Sequence, residues 1–187
     1  MGKKSIAKKK PLNRARFRRA SKGTIEKYTN HPSLKFFFSE RVQLRELHPG
    51  LIVATGSKLK PDFVPRHLTP TELQIFSNAD KQLFAVYFDK SKKSFQPLMS
   101  CGLDFKEGHI WLHTLRRATE GKLLDTRIIQ ENFFRVLINP AVNFAKQQGV
   151  SEIMLKSRNE ALIKKVYSKM NFKFEDPENP LIGVFKF

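Results

Sequence analysis

Between residues 109 and 156 a long helical pattern stands between two strand-like runs, and few folds accommodate that order. His109–Leu115 reads as a strand, and residues 124–148 set Ile128, Ile129, Phe133, Val136, Leu137 and Phe144 near helical spacing. Gly149 is a helix stop, and Val150–Lys156 reads as a second strand. A helix between two strands of one sheet brings the chain back in the same direction, so a right-handed parallel crossover is expected. Pro140 should kink or split that helix, because it lacks an N–H and its ring crowds the preceding turn.

The rest of the chain supplies strands to pair with these two. Leu34–Leu44 ends in the alternation of a half-buried strand, Pro49-Gly50 turns the chain, and Leu51–Thr55 reads as a short buried strand. Residues 56–69 hold Gly56, Pro61 and Pro65 and read as loop. Thr69-Pro70-Thr71-Glu72 then offers an N-cap with proline at the first helical position, so a short helix should run to about Asn78. Leu83–Phe88, Phe95–Leu103 and His109–Leu115 form an antiparallel meander, with Lys106-Glu107-Gly108 short enough for a hairpin. Asn159–Met170 is an amphipathic helix, and Leu181–Phe187 a last strand. The implied class is α+β: a mixed, mostly antiparallel sheet with flanking helices and one parallel crossover.

Charge divides the chain. Of 187 residues, 35 are Lys or Arg and 17 Asp or Glu, a net charge of +18. Residues 1–22 hold ten of the basic side chains and no acid, leaving 25 basic against 17 acidic over the remainder. Residues 1–30 therefore read as a basic, disordered tail and 31–187 as the folded domain. Lys8, Lys9, Lys10, Arg14, Arg16, Arg18 and Arg19 are candidates for phosphate contacts to nucleic acid, which release counterions. The alternative is a solubilising or targeting extension. One cysteine argues against a disulfide framework or a multi-cysteine metal site. No run approaches the roughly 18 apolar residues of a membrane span, and no secretory h-region is visible. These features point to a reducing intracellular compartment, cytoplasmic or nucleoid/nuclear, with a mitochondrial address left open.

The element order and the stretch Ser157-Arg-Asn-Glu-Ala-Leu-Ile-Lys-Lys-Val-Tyr-Ser-Lys-Met-Asn-Phe172 together resemble the GNAT acetyltransferase superfamily. GNAT proteins end a strand here, place an Asn, run a short helix bearing Tyr and close on Gly-Phe. Asn159, Tyr167 and Phe172 fill those places, with Asn171 where glycine is usual. The spacing from Asn159 to Tyr167 is one residue longer than usual. The resemblance covers about 34–187 by element order and 150–172 by sequence. It implies acetyl-CoA as acyl donor and a cradle for its pyrophosphate after the strand that ends near Arg116. The chain reads Arg116-Arg117-Ala118-Thr119-Glu120-Gly121-Lys122 there. Arg116 and Gly121 fit the outer positions of the superfamily's glycine motif. Thr119 replaces the central glycine and Glu120 adds a negative charge, so the cradle is degraded or rebuilt. Arg116, Arg117 and Lys122 could then hold phosphate by side chain rather than backbone.

The resemblance assigns Tyr167 as the acid that protonates the departing CoA thiolate. Tyr167 equally fits the polar-tipped aromatic of a buried helix face. A base for the attacking amine would be His113, which shares a strand face with Trp111 and His109, or Glu107 as second choice. A strand histidine also fits a purely structural role, and Cys101 reads as a buried structural thiol. Two function classes follow. One is an acetyl-CoA-dependent N-acetyltransferase acting on a basic amine, a protein N-terminus or a lysine, with a tail that contacts nucleic acid. The other is a catalytically inactive GNAT-fold protein that binds RNA or DNA, as in a ribonucleoprotein. No metal site is expected.

Overall fold

The computed structural model of the chain describes residues 22–48, 50–118, 126–168 and 171–187. Its centre is one seven-stranded sheet in the order β1-β2-β3-β4-β5-β6-β7. The strands are β1 (Gln43–His48), β2 (Leu51–Gly56), β3 (Lys81–Asp89), β4 (Ser94–Lys106), β5 (His109–Arg117), β6 (Glu152–Lys156) and β7 (Ile182–Lys186). Every neighbouring pair is antiparallel except β5–β6, which is parallel and joined by the long helix. This is the α+β class and element order expected from the sequence.

The helices are α1 (Lys22–Thr29), α2 (Pro70–Ser77), α3 (Thr126–Gln147) and α4 (Glu160–Leu162), the last running into a π-helical turn over Ile163–Tyr167. Period-two alternation builds two cores on the two faces of the sheet. Val53, Leu83, Ala85, Cys101, Leu103, Ile110 and Leu112 face α3, whose Val136, Leu137, Ala141, Phe144 and Ala145 close over them. The neighbours Ile52, Ala54, Phe84, Val86 and Phe95 face the other way, against Leu34, Phe37 and Phe38. Pro140 lies within α3, which continues through it as one helix.

Two expectations are corrected. The strand at Leu34–Leu44 begins only at Gln43, because Pro32–Phe36 forms a 3-10 turn capped by His31, whose side chain accepts from the Ser33 N–H. The turn buries Phe37 and Phe38 together and leaves Phe36 exposed, which strand alternation could not do. The stretch 1–30 also contains α1, and Tyr28 of that helix packs 4.7 Å from Phe88, so ordered structure starts before residue 31. The tail residues Lys8, Lys9, Lys10, Arg14, Arg16, Arg18 and Arg19 lie outside the described residues, as do Pro49 and the end of the Asn159–Met170 helix.

Candidate functional site

The site grows from two irregularities in the central strands. Pro97 has no N–H for the ladder, and the β3–β4 register shifts there, leaving Leu98 bulged. The Leu98 carbonyl then accepts from the Ala118 N–H at 2.7 Å, which pins the end of β5. Further along, Ser100 pairs with Arg116 but Gly102 pairs with His113, so Cys101 alone faces Thr114 and Leu115. The extra residue on β5 is absorbed at Thr114, which adopts φ 46°, an uncommon conformation for a β-branched residue.

At that bulge β5 leaves β6. Their register runs Ile110–Ile153, Trp111–Met154, Leu112–Leu155 and stops, while β5 continues to Arg117 beside β4. The parallel pairing therefore ends one residue short of the end of β6, at the carboxyl ends of the two strands, the gap where open α/β sheets place ligands.

Tyr167 approaches the gap from the α3 side, packed on that core and 6.3 Å from the Phe172 ring. The turn that carries it has one residue more per turn than an α-helix, with the Ser168 hydroxyl donating to the Ile163 carbonyl five residues back. That geometry takes up the extra residue between Asn159 and Tyr167. The Phe172 N–H closes the segment on the Tyr167 carbonyl at 3.1 Å, after Asn171 at φ 65°. Burial pushes the Tyr167 hydroxyl above the ordinary phenol pKa, the nearby Cys101 thiol adds to it and Arg116 opposes. The phenol is held protonated, as a proton donor must be. Cys101 is fully buried and its thiol is itself pushed up by burial, away from thiolate chemistry.

His113 lies on the opposite face, one residue from Leu112 in the alternation. Its ring lies across Gly102, where any Cβ would collide with it. Nε2 stands 3.2 Å from Asp104 Oδ2, off the N–H direction but close enough to pair once the ring is protonated. Nδ1 is 3.2 Å from the Thr114 hydroxyl. Asp104 also pairs with Lys106 at 2.9 Å and accepts from the Asp80 N–H. Burial raises its carboxyl pKa, and Lys106, Asp80 and His113 together bring it below the ordinary range. His109 sits at the start of β5 beside Glu152. Glu107 occupies the β4–β5 hairpin with Gly108, both at positive φ, six residues and about 20 Å of strand from His113.

Arg116, still largely exposed, reaches across to α2. Its Nε donates to Glu72 Oε1, and Glu72 in turn accepts from the Thr69 N–H in a capping box. Burial raises the Glu72 carboxyl while Thr69 and Arg116 bring it below its usual value. Beside this pair, His67 Nε2 is 3.0 Å from the hydroxyl of the buried Ser100. Arg117 ends β5. Asn159 follows β6, and its carbonyl accepts from the Ile163 N–H to start α4. Thr119, Gly121 and Lys122 lie outside the described residues. The structure thus brings Tyr167 within electrostatic reach of Arg116, sets His113 on the opposite face with Asp104 and Thr114, and leaves Glu107 at the far end of β5.

Sequence reasoning did not single out Asp104, Thr114, His67 or Ser100. Asp104 and His113 share a face through the register of the β4–β5 hairpin, which runs unshifted from Lys106 on His109 to Gly102 on His113. Among the described residues no cluster of His, Cys, Asp and Glu is arranged to hold a metal, and no helix is long and apolar enough to cross a membrane.

No protein-family model matches the chain, and no curated protein matches it in sequence. Among solved structures it is similar to an acetyltransferase from Streptococcus agalactiae 2603, at 12% identity over 72% of this chain and 98% of that one, with a TM-score of 0.45. It is also similar to a domain from Methanocaldococcus jannaschii DSM 2661, at 14% identity over 91% of this chain and 96% of that one, with a TM-score of 0.43.

Proposed function

We propose that the chain transfers an acetyl group from acetyl-CoA to a basic amine, a protein N-terminus or a lysine, at the gap between β5 and β6. The observation that supports this reading is the end of the parallel register after Leu112 and Leu155, with Tyr167 packed on the α3-side core of the same sheet. Beyond Leu112 the β5 edge has no register partner on β6, so the amides of a pantetheine arm could pair with it as an added strand does. Arg116 and Arg117 at the end of β5, and Asn159 after β6, flank the place where the CoA phosphates would lie.

The chemistry is aminolysis of a thioester. The amine nitrogen bonds to the carbonyl carbon, the carbon–sulfur bond breaks, and sulfur takes a proton from the Tyr167 hydroxyl. The amine gives up its own proton to a base, for which His113, beside Asp104 and one residue past the last β5–β6 pair, is the nearer candidate. Acid and base then serve the two sides of one reacting carbonyl.

A second reading keeps the fold as a nucleic-acid-binding scaffold without catalysis. It is favoured by Arg116, whose guanidinium is taken by Glu72 instead of a phosphate. Calorimetry with acetyl-CoA separates the two. Heat of binding with wild type, retained within about twofold in Tyr167→Phe while turnover falls on the order of 10²-fold, supports the transferase. Absence of heat and of a thermal shift at millimolar acetyl-CoA rejects it in favour of the scaffold.

A further inference from the structure

At the other end of the sheet, where β3 and β6 begin and α3 ends, lies a cavity of about 210 Å³ that the transferase reading does not use. Its walls are cationic and amide-rich. Arg41 enters from the segment before β1 and Lys81 from the first residue of β3, Gln43 and Ser57 flank them, and Asn143 and Gln147 face in from successive turns of α3. No carboxylate lines it. The acids adjacent in sequence are engaged elsewhere: Glu40 pairs with Lys58, and Asp80 accepts from the Phe105 N–H at 2.7 Å. Arg41 and Lys81 have no acidic partner among the described residues.

A second observation is independent of the charge. Thr55 lines the same cavity, is 5% exposed, and its Oγ1 is buried with no hydrogen-bond partner among the described residues. A buried hydroxyl without a partner is rare in native proteins and points to a group that supplies one. The carbonyl end of α3 would repel an anion, but the Phe144, Ala145 and Lys146 carbonyls already accept from Gln148, Val150 and Gly149. Leu83, Phe144 and Pro140 give the cavity an apolar floor.

The geometry points to a binding site for a phosphomonoester. A guanidinium, an ammonium, three amides and two hydroxyls offer more donors than a carboxylate can accept, and they suit the three terminal oxygens of a phosphate dianion. The apolar floor receives the body that carries the phosphate.

The test is ¹H–¹⁵N NMR of the full chain titrated with inorganic phosphate and with glycerol 3-phosphate. Saturable shifts centred on Thr55, Gly56, Ser57 and Asn143 are expected. Lys81→Gln should weaken binding about tenfold, and the near-isosteric Thr55→Val should weaken it while leaving the spectrum folded. A 5′-phosphorylated dinucleotide that outbinds its 5′-hydroxyl form by more than glycerol 3-phosphate outbinds inorganic phosphate assigns the source to nucleic-acid ends. The reverse assigns it to small metabolites. Shifts confined to the basic N-terminus, or equal affinity in wild type, Lys81→Gln and Thr55→Val, overturn the site. Neither result bears on acetyl-CoA, whose proposed place is the opposite end of the sheet.

Discussion

Asn171 and His67 show how single residues carry conformational and electrostatic load. Asn171 sits at φ 65°, where an L side chain with a Cβ is crowded and a short amide is tolerated best after glycine. Asn171→Gly should therefore leave stability within a few tenths of a kcal/mol, while Asn171→Val should cost about 1–2 kcal/mol in chemical denaturation. His67 makes a different argument. Burial holds its pKa below the ordinary 6.5, with Glu72 opposing. The unfolded chain then binds the proton more readily than the folded one. Stability is complete above about pH 6.5 and declines as pH falls through the lower folded value. The wild-type thermal midpoint should drop between about pH 7.5 and about pH 5, and His67→Gln should flatten that part of the profile. Equal profiles would mean that His67 stays solvated.

At the scale of elements, what was legible was what is local. The α2 cap is written in four consecutive residues, and the structure has both halves of the capping box. Thr69→Ala should lower stability by about 1 kcal/mol, measured by denaturant midpoint. A loss near zero would show that Glu72 holds the helix start through Arg116 alone. The strands from β2 to β7 were legible for the same reason, since each alternates or is bounded by its own turn residues. The 3-10 turn at Pro32–Phe36 was not, because three consecutive Phe look alike in a strand and a tight helix until their partners are known. The π turn lies between these cases. One surplus residue before Tyr167 was visible in the spacing, but its absorption as a wider turn depends on Tyr167 and Phe172 being anchored in one core. The strand ends beside the crossover were legible as the place for a ligand, but the irregularity in β5 there was not. It depends on a register slip between Ser100 and Gly102, and register is a relation between strands that no single strand records.

For the whole molecule the decisive quantity is where the surplus charge stands free. Residues 22–187 hold 26 Lys and Arg against 17 Asp and Glu, a surplus of nine spread over a folded surface where Arg116 pairs with Glu72, Lys58 with Glu40, Lys106 with Asp104 and Lys186 with Glu152. Residues 1–21 carry nine Lys and Arg and no acid to pair with. The tail thus packs into 21 residues the same surplus of nine that the body spreads over 166, so attraction to a polyanion should be densest in that stretch. Each phosphate neutralised on duplex DNA adds about 0.9 to the salt slope of log affinity, so full engagement of the tail would contribute roughly eight units. Deleting residues 1–21, which stops short of α1, should lower the slope by several units for duplex and by somewhat less for single-stranded RNA. The same deletion should leave acetyl-CoA affinity and the NMR response of Thr55 and Asn143 to phosphate unchanged, because the gap and the cavity are built from the sheet and α3. An unchanged salt slope would remove the tail as the contact and leave the folded body to account for whatever nucleic acid is bound.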